Sequence, residues 1–231
     1  MKNIVVLTGA GISAESGIKT FRDDDGLWEG HDVMQVASPL GFKNNPELVL
    51  DFYNQRRRQL KQVEPNAAHL ALKELEEQYN VSIITQNVDD LHERAGSENV
   101  VHLHGELFKV RSTFDKELIF DWKEDLNVGD FCEFNSQLRP HIVWFGEQVP
   151  LLETAALEVE KADILIIIGT SMQVYPAAGL KDFAPPHCQM YFIDPQPAIT
   201  ETKNLSIIAE NASTGVKKLV EQLLDVSSDG V

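Results

Sequence analysis

Cysteine is scarce in this chain, with only Cys132 and Cys188 among 231 residues. Two cysteines give no disulfide framework, so we expect a reducing compartment, the cytoplasm. No run of about 18 apolar residues occurs, which argues against a membrane span, and the apolar start before Gly9 is too short for a secretory signal. Basic residues are also few, since 20 Lys and Arg stand against 36 Asp and Glu, a formal net charge of −16. Such a surface repels phosphate backbones, so we expect no nucleic-acid partner. Without a membrane span, we expect no membrane partner either.

Hydrophobic residues make up 43% of the chain, enough to bury a core. Apolar runs predict five buried strands, the last of them at 190–193; the others are at 3–8, 81–85, 100–103 and 163–168. Helical segments separate them, at about 46–62, 65–79, 151–161 and 214–226. Strands that alternate with helices predict an α/β fold with a Rossmann-like, doubly wound parallel sheet. Short alternating pieces between about 106 and 139 predict a small inserted module.

A glycine-rich segment, Gly9-Ala10-Gly11-Ile12-Ser13-Ala14, follows the first strand directly. Its G-x-G-x-x-A spacing is a permitted form of the dinucleotide fingerprint, in which glycines let the backbone approach a pyrophosphate. The alternative is an ordinary tight turn.

Polar residues follow three further strands, namely Gln86-Asn87-Val88-Asp89, His102-Leu103-His104-Gly105 and Gly169-Thr170-Ser171. Open α/β sheets bind ligands at these carboxyl ends, and a histidine there can act as a general base. Asn87 or Asp89 as a helix cap and His104 as a structural histidine are the alternatives. Four such clusters together predict a ligand cleft.

These segments, with Gly17-Ile18-Lys19-Thr20-Phe21-Arg22, resemble the motifs of the sirtuin family in their usual order, from about Ile4 to Leu224. The resemblance implies a large domain (about 1–28, 62–104 and 141–231) and small-domain segments (about 29–61 and 105–140). It implies a deacylase that consumes NAD and releases nicotinamide and 2'-O-acyl-ADP-ribose. We expect the protein to be a monomer. The partners would be acylated, lysine-containing proteins.

The resemblance also implies roles for individual residues. His104 would be the catalytic base, and Asn87 and Asp89 would hold the nicotinamide end. The remaining cofactor contacts would come from Gly9, Ala10, Gly11, Ser13, Phe21, Arg22, Gln86, Gly169, Thr170, Ser171 and Ala212. The segment 143–147 resembles the strand that pairs with the substrate main chain, which makes Val143, Phe145 and Gly146 substrate-binding candidates.

Tyr53 and Arg56 stand three apart on a predicted helix, so both can point to one side. A phenol beside a guanidinium suits a carboxylate. The alternative is a solvated basic face, because Arg56, Arg57 and Arg58 are adjacent. Tyr-x-x-Arg here resembles class III sirtuins, which implies removal of succinyl and malonyl as well as acetyl groups.

The chain departs from the family pattern in two places. Most sirtuins hold their small module with zinc bound by four cysteines, but residues 111–138 contain only Cys132, and Ser112 stands where the first cysteine would be. We therefore expect no zinc, and a module held by its own apolar residues, Phe114, Leu118, Phe120, Trp122, Phe131 and Phe134. The usual asparagine after the last strand is also missing, and Asp194 can accept hydrogen bonds from the ribose in its place.

Two other functions use the same pocket. An ADP-ribosyltransferase or NAD glycohydrolase would pass the ribose to another acceptor. A non-catalytic NAD or ADP-ribose sensor would bind the nucleotide and would not need the base His104.

Overall fold

The computed structural model describes residues 1–19 and 27–228, without the side chains of Leu27 and 226–228. Its main feature is a six-stranded sheet in the order β11-β10-β9-β1-β4-β5, with every neighbouring pair parallel. The strands of the chain are β1 Asn3–Thr8, β2 Leu27–Trp28, β3 His31–Asp32, β4 Asn80–Thr85, β5 Val100–His102, β6 Gly105–Ser112, β7 Ile119–Asp121, β8 Leu138–Ile142, β9 Ile164–Ile168, β10 Gln189–Ile193 and β11 Leu205–Ile208. The predicted doubly wound parallel sheet is confirmed.

The helices of the chain are α1 Val33–Val36, α2 Pro39–Asn44, α3 Pro46–Leu60, α4 Ala67–Glu74, α5 Leu91–Arg94, α6 Leu152–Val159 and α7 Ala212–Ser228. Of these, α4 and α7 pack on one face of the six-stranded sheet and α6 packs on the other. Strand β1 shows how the layers form: Ile4 and Val6 pack with α4 and α7, whereas Val5 and Leu7 pack on the opposite face with α6. Because side chains alternate along a strand, a strand buried on both faces must be apolar throughout.

The prediction that 190–193 is the last strand was wrong, because one more strand follows it. Strand β11, Leu205–Ile208, pairs in parallel with β10 and forms the edge of the sheet. The segment 21–45 lacks clear periodicity in the sequence, which predicts a long loop with helical pieces. Its described part, residues 27–45, contains β2, β3, α1 and α2. The proposed division into a large domain and small-domain segments stays a prediction.

The inserted module is a three-stranded antiparallel sheet in the order β7-β6-β8. The prediction that six apolar residues hold it was wrong for four of them: Phe114, Phe120, Phe131 and Phe134 are 74%, 36%, 52% and 58% exposed. Leu118 and Trp122 do pack on its core, which consists of Leu50, Val110, Leu126, Cys132 and Leu138. Helix α3 thus supplies part of the core, and it also anchors the module because Asn54 Nδ2 donates to the Leu126 carbonyl and Asn54 Oδ1 accepts from the Leu126 amide.

Ser112, which stands where the resemblance would place the first zinc cysteine, is hydrogen-bonded to Cys132 in this structure. Cys132 Sγ donates to Ser112 Oγ at 3.4 Å, and Ser112 Oγ also accepts from the amides of Phe114 and Asp115. Among the described residues, no group of three or more His, Cys, Asp or Glu side chains could hold a metal ion. A structural zinc ion needs four ligands of this kind.

No helix in the described ranges is both long and apolar enough to cross a membrane.

Two buried histidines, His69 on α4 and His92 on α5, pack edge to face with ring centroids 4.9 Å apart. The Nδ1 atom of His69 accepts the Asn66 amide in a capping box, and His92 Nε2 lies 3.1 Å from Thr8 Oγ1. His69 Nε2 and His92 Nδ1 have no partner in the described part of the chain. Burial lowers the pKa of His69 to about 4 and that of His92 well below its usual value.

These histidines should make the protein less stable in mild acid. In the unfolded chain the pKa of each histidine is near 6.5. As the pH falls from about 6.5 towards 4, the unfolded chain therefore binds protons that the folded chain does not bind. The free energy of unfolding should fall by up to about 1.4 kcal/mol per pH unit for each histidine. His69→Gln keeps a capping-box acceptor and should flatten that slope in urea unfolding, whereas exposed His187→Gln should not. Identical slopes for His69→Gln and the unmodified chain would contradict this account.

Candidate active site

A cavity of about 790 Å³ opens at the carboxyl ends of β9, β1, β4 and β5. These strands are adjacent in the sheet, so the four polar segments that follow them meet in one place, as predicted. The large sheet forms one wall, and the other wall comes from α3 and the segment after β8. This is the crevice where open α/β sheets bind ligands.

All but two of the predicted site residues line this cavity. They are Gly9, Ala10, Gly11, Ser13, Tyr53, Arg56, Gln86, Asn87, Asp89, His104, Val143, Phe145, Gly146, Gly169, Thr170, Ser171, Asp194 and Ala212. Phe21 and Arg22 lie outside the described residues. The structure brings the candidates together, and their individual roles stay predictions.

The glycine loop lies directly against the loop after β9. The Gly11 amide donates to the Gly169 carbonyl at 2.8 Å, and a Cβ on Gly11 would lie 2.6 Å from Gly169 Cα. No side chain fits there, because real Cβ atoms are essentially never under 3.0 Å from a neighbour. The loop leads into two 3₁₀ turns, Ala10–Ile12 and Ala14–Ser16. Glycine is therefore required where these two loops pack together, and Gly9, Gly11 and Gly169 also line the cavity.

Ser13, Asn87 and Asp89 form a buried hydrogen-bonded chain on the cavity wall. Asn87 Nδ2 donates to Ser13 Oγ at 3.1 Å, and Ser13 Oγ donates to Asp89 Oδ2 at 3.0 Å. Burial raises the pKa of Asp89 to about 6, against the opposing hydrogen bonds from Leu91 and Ser13. The chain fixes the Asn87 amide and the Asp89 carboxyl in position, so they form a preorganised polar wall.

Two histidines hold the segment after β4. His104 Nδ1 lies 3.0 Å from the Gln86 carbonyl, and His102 Nδ1 lies 3.1 Å from the Asn87 carbonyl. A carbonyl only accepts, so Nδ1 carries the proton in both rings. His104 Nε2 is then the basic atom, and because burial lowers the pKa of His104 the ring is neutral at pH 7.

His102 has a different environment from His104. It does not line the large cavity, and its Nε2 lies 2.7 Å from Glu93 Oε1. Burial opposes its protonation, but Glu93 outweighs this and raises the pKa of His102. Of the two histidines, only His104 is suited to act as a base.

The three adjacent arginines of α3 have three different surroundings. Arg57 is 1% exposed and donates to the Leu107 carbonyl and Asn54, whereas exposed Arg58 pairs with Asp125 at 2.6 Å. Arg56 is half-buried, lines the cavity and stacks on the Phe52 ring at 4.9 Å. Its Nε and Nη1 atoms have no hydrogen-bond partner among the described residues, and burial lowers its pKa although Glu29 and Asp51 oppose this. The alternative of a solvated basic face is therefore wrong for Arg56.

Tyr53, one turn before Arg56, lines the same cavity. It is 0% exposed, and its hydroxyl accepts a hydrogen bond from Trp144 Nε1 at 2.9 Å. Burial raises the pKa of Tyr53, so the phenol stays protonated. Tyr53 lines the cavity although its side chain is not exposed to water.

The segment 143–147 is not a strand in this structure. Strand β8 ends at Ile142, and Gly146 takes a left-handed φ of 90° in a turn. Four of its amides are already bonded within the chain. Val143 N donates to the His104 carbonyl, Phe145 N to the Ala37 carbonyl, Trp144 N to the Glu147 carboxylate and Glu147 N to the Trp144 carbonyl. It lines the cavity all the same.

Several cavity residues were not among the sequence candidates, notably Trp28, Glu29, Trp144 and Tyr175. Trp144 stands inside the 143–147 motif, so its position in the sequence was available as a signal. No periodicity marks Trp28, Glu29 or Tyr175, which lie on short strands, turns and loops.

Comparisons with known proteins agree with this geometry. A model of the Sir2 family, the sirtuins, matches residues 9–176. The NAD-dependent protein deacylase of Helicobacter pylori is 60% identical over 229 residues, covering 99% of this chain and 100% of that protein. A crystal structure of a Sir2 homologue bound to NAD is 40% identical, with a TM-score of 0.88 over 97% of this chain and 90% of the other. A structure of Sir2 with a p53 peptide and NAD is 29% identical, with a TM-score of 0.76 over 97% and 93%.

A family model that spans most of the chain and a relative that matches nearly all of it lead to one conclusion. This chain belongs to the Sir2 family.

Proposed function

We propose that this protein removes acyl groups from protein lysines at the expense of NAD, releasing nicotinamide and 2'-O-acyl-ADP-ribose, and that it accepts succinyl and malonyl as well as acetyl groups. The observation that carries the proposal is the content of one cavity, which brings together a neutral imidazole, a glycine-rich loop and an arginine whose Nε and Nη1 have no hydrogen-bond partner among the described residues. The deacylase of Helicobacter pylori and the Sir2 homologue bound to NAD support it.

The cavity has places for both parts of a dinucleotide. Gly9, Gly11 and Gly169 present backbone where phosphates can approach, and Asp194 and Ala212 stand at the far side, where an adenosine would lie. The buried Ser13, Asn87 and Asp89 chain suits the nicotinamide end. When bound, NAD would supply the ribose carbon to which the acyl oxygen bonds as the bond from that carbon to nicotinamide breaks.

The chain's own residues would act on this chemistry in two ways. The preorganised dipoles of Asn87 and its neighbours stabilise developing charge better than water, because they need no reorganisation. His104 takes a proton at Nε2, since its Nδ1 is held by the Gln86 carbonyl. Its lowered pKa keeps it in the basic form at neutral pH.

The Arg56 guanidinium supports the acidic acyl groups. Two of its nitrogens have lost water without gaining a protein acceptor in the described residues, which is costly. A carboxylate at the end of an acyl chain would satisfy both the charge and the hydrogen bonds. The Phe52 ring below the guanidinium keeps it in the cavity wall.

Acylated, lysine-containing proteins are the proposed partners, and the structure of Sir2 with a p53 peptide supports a polypeptide substrate. We further propose a cytoplasmic monomer, on the two free cysteines and the acidic surface.

Product analysis tests the function. Acetyl-, succinyl- and malonyl-lysine versions of one peptide, incubated with and without NAD, should each give free lysine and the matching acyl-ADP-ribose by mass spectrometry only when NAD is present. Nicotinamide release without deacylation would favour an NAD glycohydrolase or ADP-ribosyltransferase. Binding of NAD without consumption would favour a sensor.

A further inference from the structure

Among the described residues, the phenol oxygen of Tyr53 has one hydrogen bond, which it accepts from Trp144. Its oxygen can accept hydrogen bonds and donate one, and one acceptor site is taken by the Trp144 indole at 2.9 Å. No described residue accepts the phenol's own proton, and Tyr53 is fully buried among Trp28, Phe52 and Trp144. A buried hydroxyl whose proton has no acceptor is an unsatisfied group that a ligand oxygen can complete.

Trp144 itself is rigidly held. It is 2% exposed, and the Arg139 guanidinium lies over its ring at 3.3 Å. Glu147 accepts from both terminal nitrogens of Arg139, at 2.7 and 3.0 Å, and from the Trp144 backbone amide at 2.8 Å. Arg111 adds a further bond to Glu147 at 3.1 Å.

This clamp fixes the direction of the indole N–H and strengthens it as a donor. A cation against the ring face is attracted by the ring's electrons, and it draws density away from the indole nitrogen. A stronger N–H donor in turn polarises the phenol that accepts it, because hydrogen bonds in a chain reinforce each other. The phenol proton is therefore free to donate, and the hydrogen bond from Trp144 makes the phenol a stronger donor than it would be without that bond.

The selectivity follows from which substrates need that proton. An acetyl group ends in a methyl, which cannot accept a hydrogen bond. A succinyl or malonyl group ends in a carboxylate, which can accept one bond from Tyr53 and others from Arg56. Only the acidic acyl groups then depend on the orientation of the phenol.

We propose that Trp144 is a specificity-determining positioning residue, which directs the Tyr53 hydroxyl proton towards the carboxylate of an acidic acyl group. The inference rests on the proposed function, because it assigns a residue to the acyl end of that same cavity. Trp144 acts through Tyr53 and needs no contact with the reacting atoms.

Trp144→Phe tests this, because it removes the indole N–H and keeps an aromatic ring beneath Arg139. The kcat/KM ratio of succinyl- to acetyl-lysine peptide should fall about tenfold, the usual size for one hydrogen bond to a charged group, mainly through a higher KM for the succinyl peptide. In a Tyr53→Phe background the same substitution should leave the ratio unchanged. Trp122→Phe is the matched control, since that indole donates to the Asp125 carbonyl away from the cavity and should not alter the ratio.

A second measurement avoids any folding defect of the variant. The chain has three tryptophans, so ¹⁵N-labelled wild-type protein gives three indole signals. The Trp144 signal should shift more on binding succinyl peptide than acetyl peptide. Equal shifts, or a Trp144→Phe variant with an unchanged ratio, would overturn the assignment of Trp144 while the wild type still desuccinylates. A wild type that removes no acyl group with NAD would instead overturn the proposed function itself.

Discussion

Replacing His104 by alanine should lower kcat by about a hundred- to ten-thousand-fold, which is the usual contribution of a positioned general base. The reason is geometric as well as chemical. The Gln86 carbonyl holds the proton on Nδ1 of His104, so Nε2 is the basic nitrogen of this ring. His104 lines the cavity. Since burial lowers the pKa of His104, the activity of the unmodified enzyme should decline only as the pH falls below about 6.5, and this decline should be absent from the residual rate of the variant.

The His104→Ala variant should keep its fold and most of its affinity for NAD, because the glycine loop and the Ser13–Asn87–Asp89 chain do not bond to the imidazole. Steady-state kinetics, thermal unfolding and NAD titration separate these properties. His187→Ala is the control, because that imidazole side chain is 69% exposed and does not line the cavity. Normal turnover by His104→Ala would remove the assigned base.

Arg56→Met should lower kcat/KM on a succinyl-lysine peptide by about 10- to 150-fold, the range expected for loss of hydrogen bonds to a charged group. The loss on an acetyl-lysine peptide should be much smaller. Methionine keeps the apolar contact with the Phe52 ring but has neither the charge nor the N–H donors that a carboxylate requires. Parallel kinetics on the two peptides measure the ratio directly.

Arg58→Met is the matched control for this experiment. Arg58 lies two residues after Arg56 on the same helix. Its side chain is exposed and pairs with Asp125. Its loss should leave the ratio of the two activities unaltered. If Arg56→Met depressed both activities equally, the guanidinium would serve the cavity in general and not the acidic acyl group.

The sequence was sufficient for the part of the fold whose signals are local. Short apolar runs rich in β-branched residues, such as Ile164–Ile168, are typical of a strand buried on both faces. Strand β11 was not predicted because Leu205–Ile208 is only four residues long and its side chains are mostly half-buried. The four exposed phenylalanines of the small module were assigned to its core because composition alone does not show that α3 fills that position.

The site divided in the same way. Four polar segments at strand ends were readable because parallel topology forces them to one edge. The distinct surroundings of Arg56, Arg57 and Arg58 were not readable, since they depend on the Leu107 carbonyl and on Asp125, distant in sequence. The hydrogen bond between Trp144 and Tyr53 joins residues 91 positions apart, and no local pattern predicts such a contact.

One measurement tests the central claim most directly, the molar ratio of nicotinamide released to lysine freed from a succinyl-lysine peptide. A single cavity that holds the NAD ribose beside the acyl-lysine predicts equal amounts, formed only when both NAD and peptide are present. Nicotinamide in excess of free lysine, or lysine freed without NAD, would contradict the account.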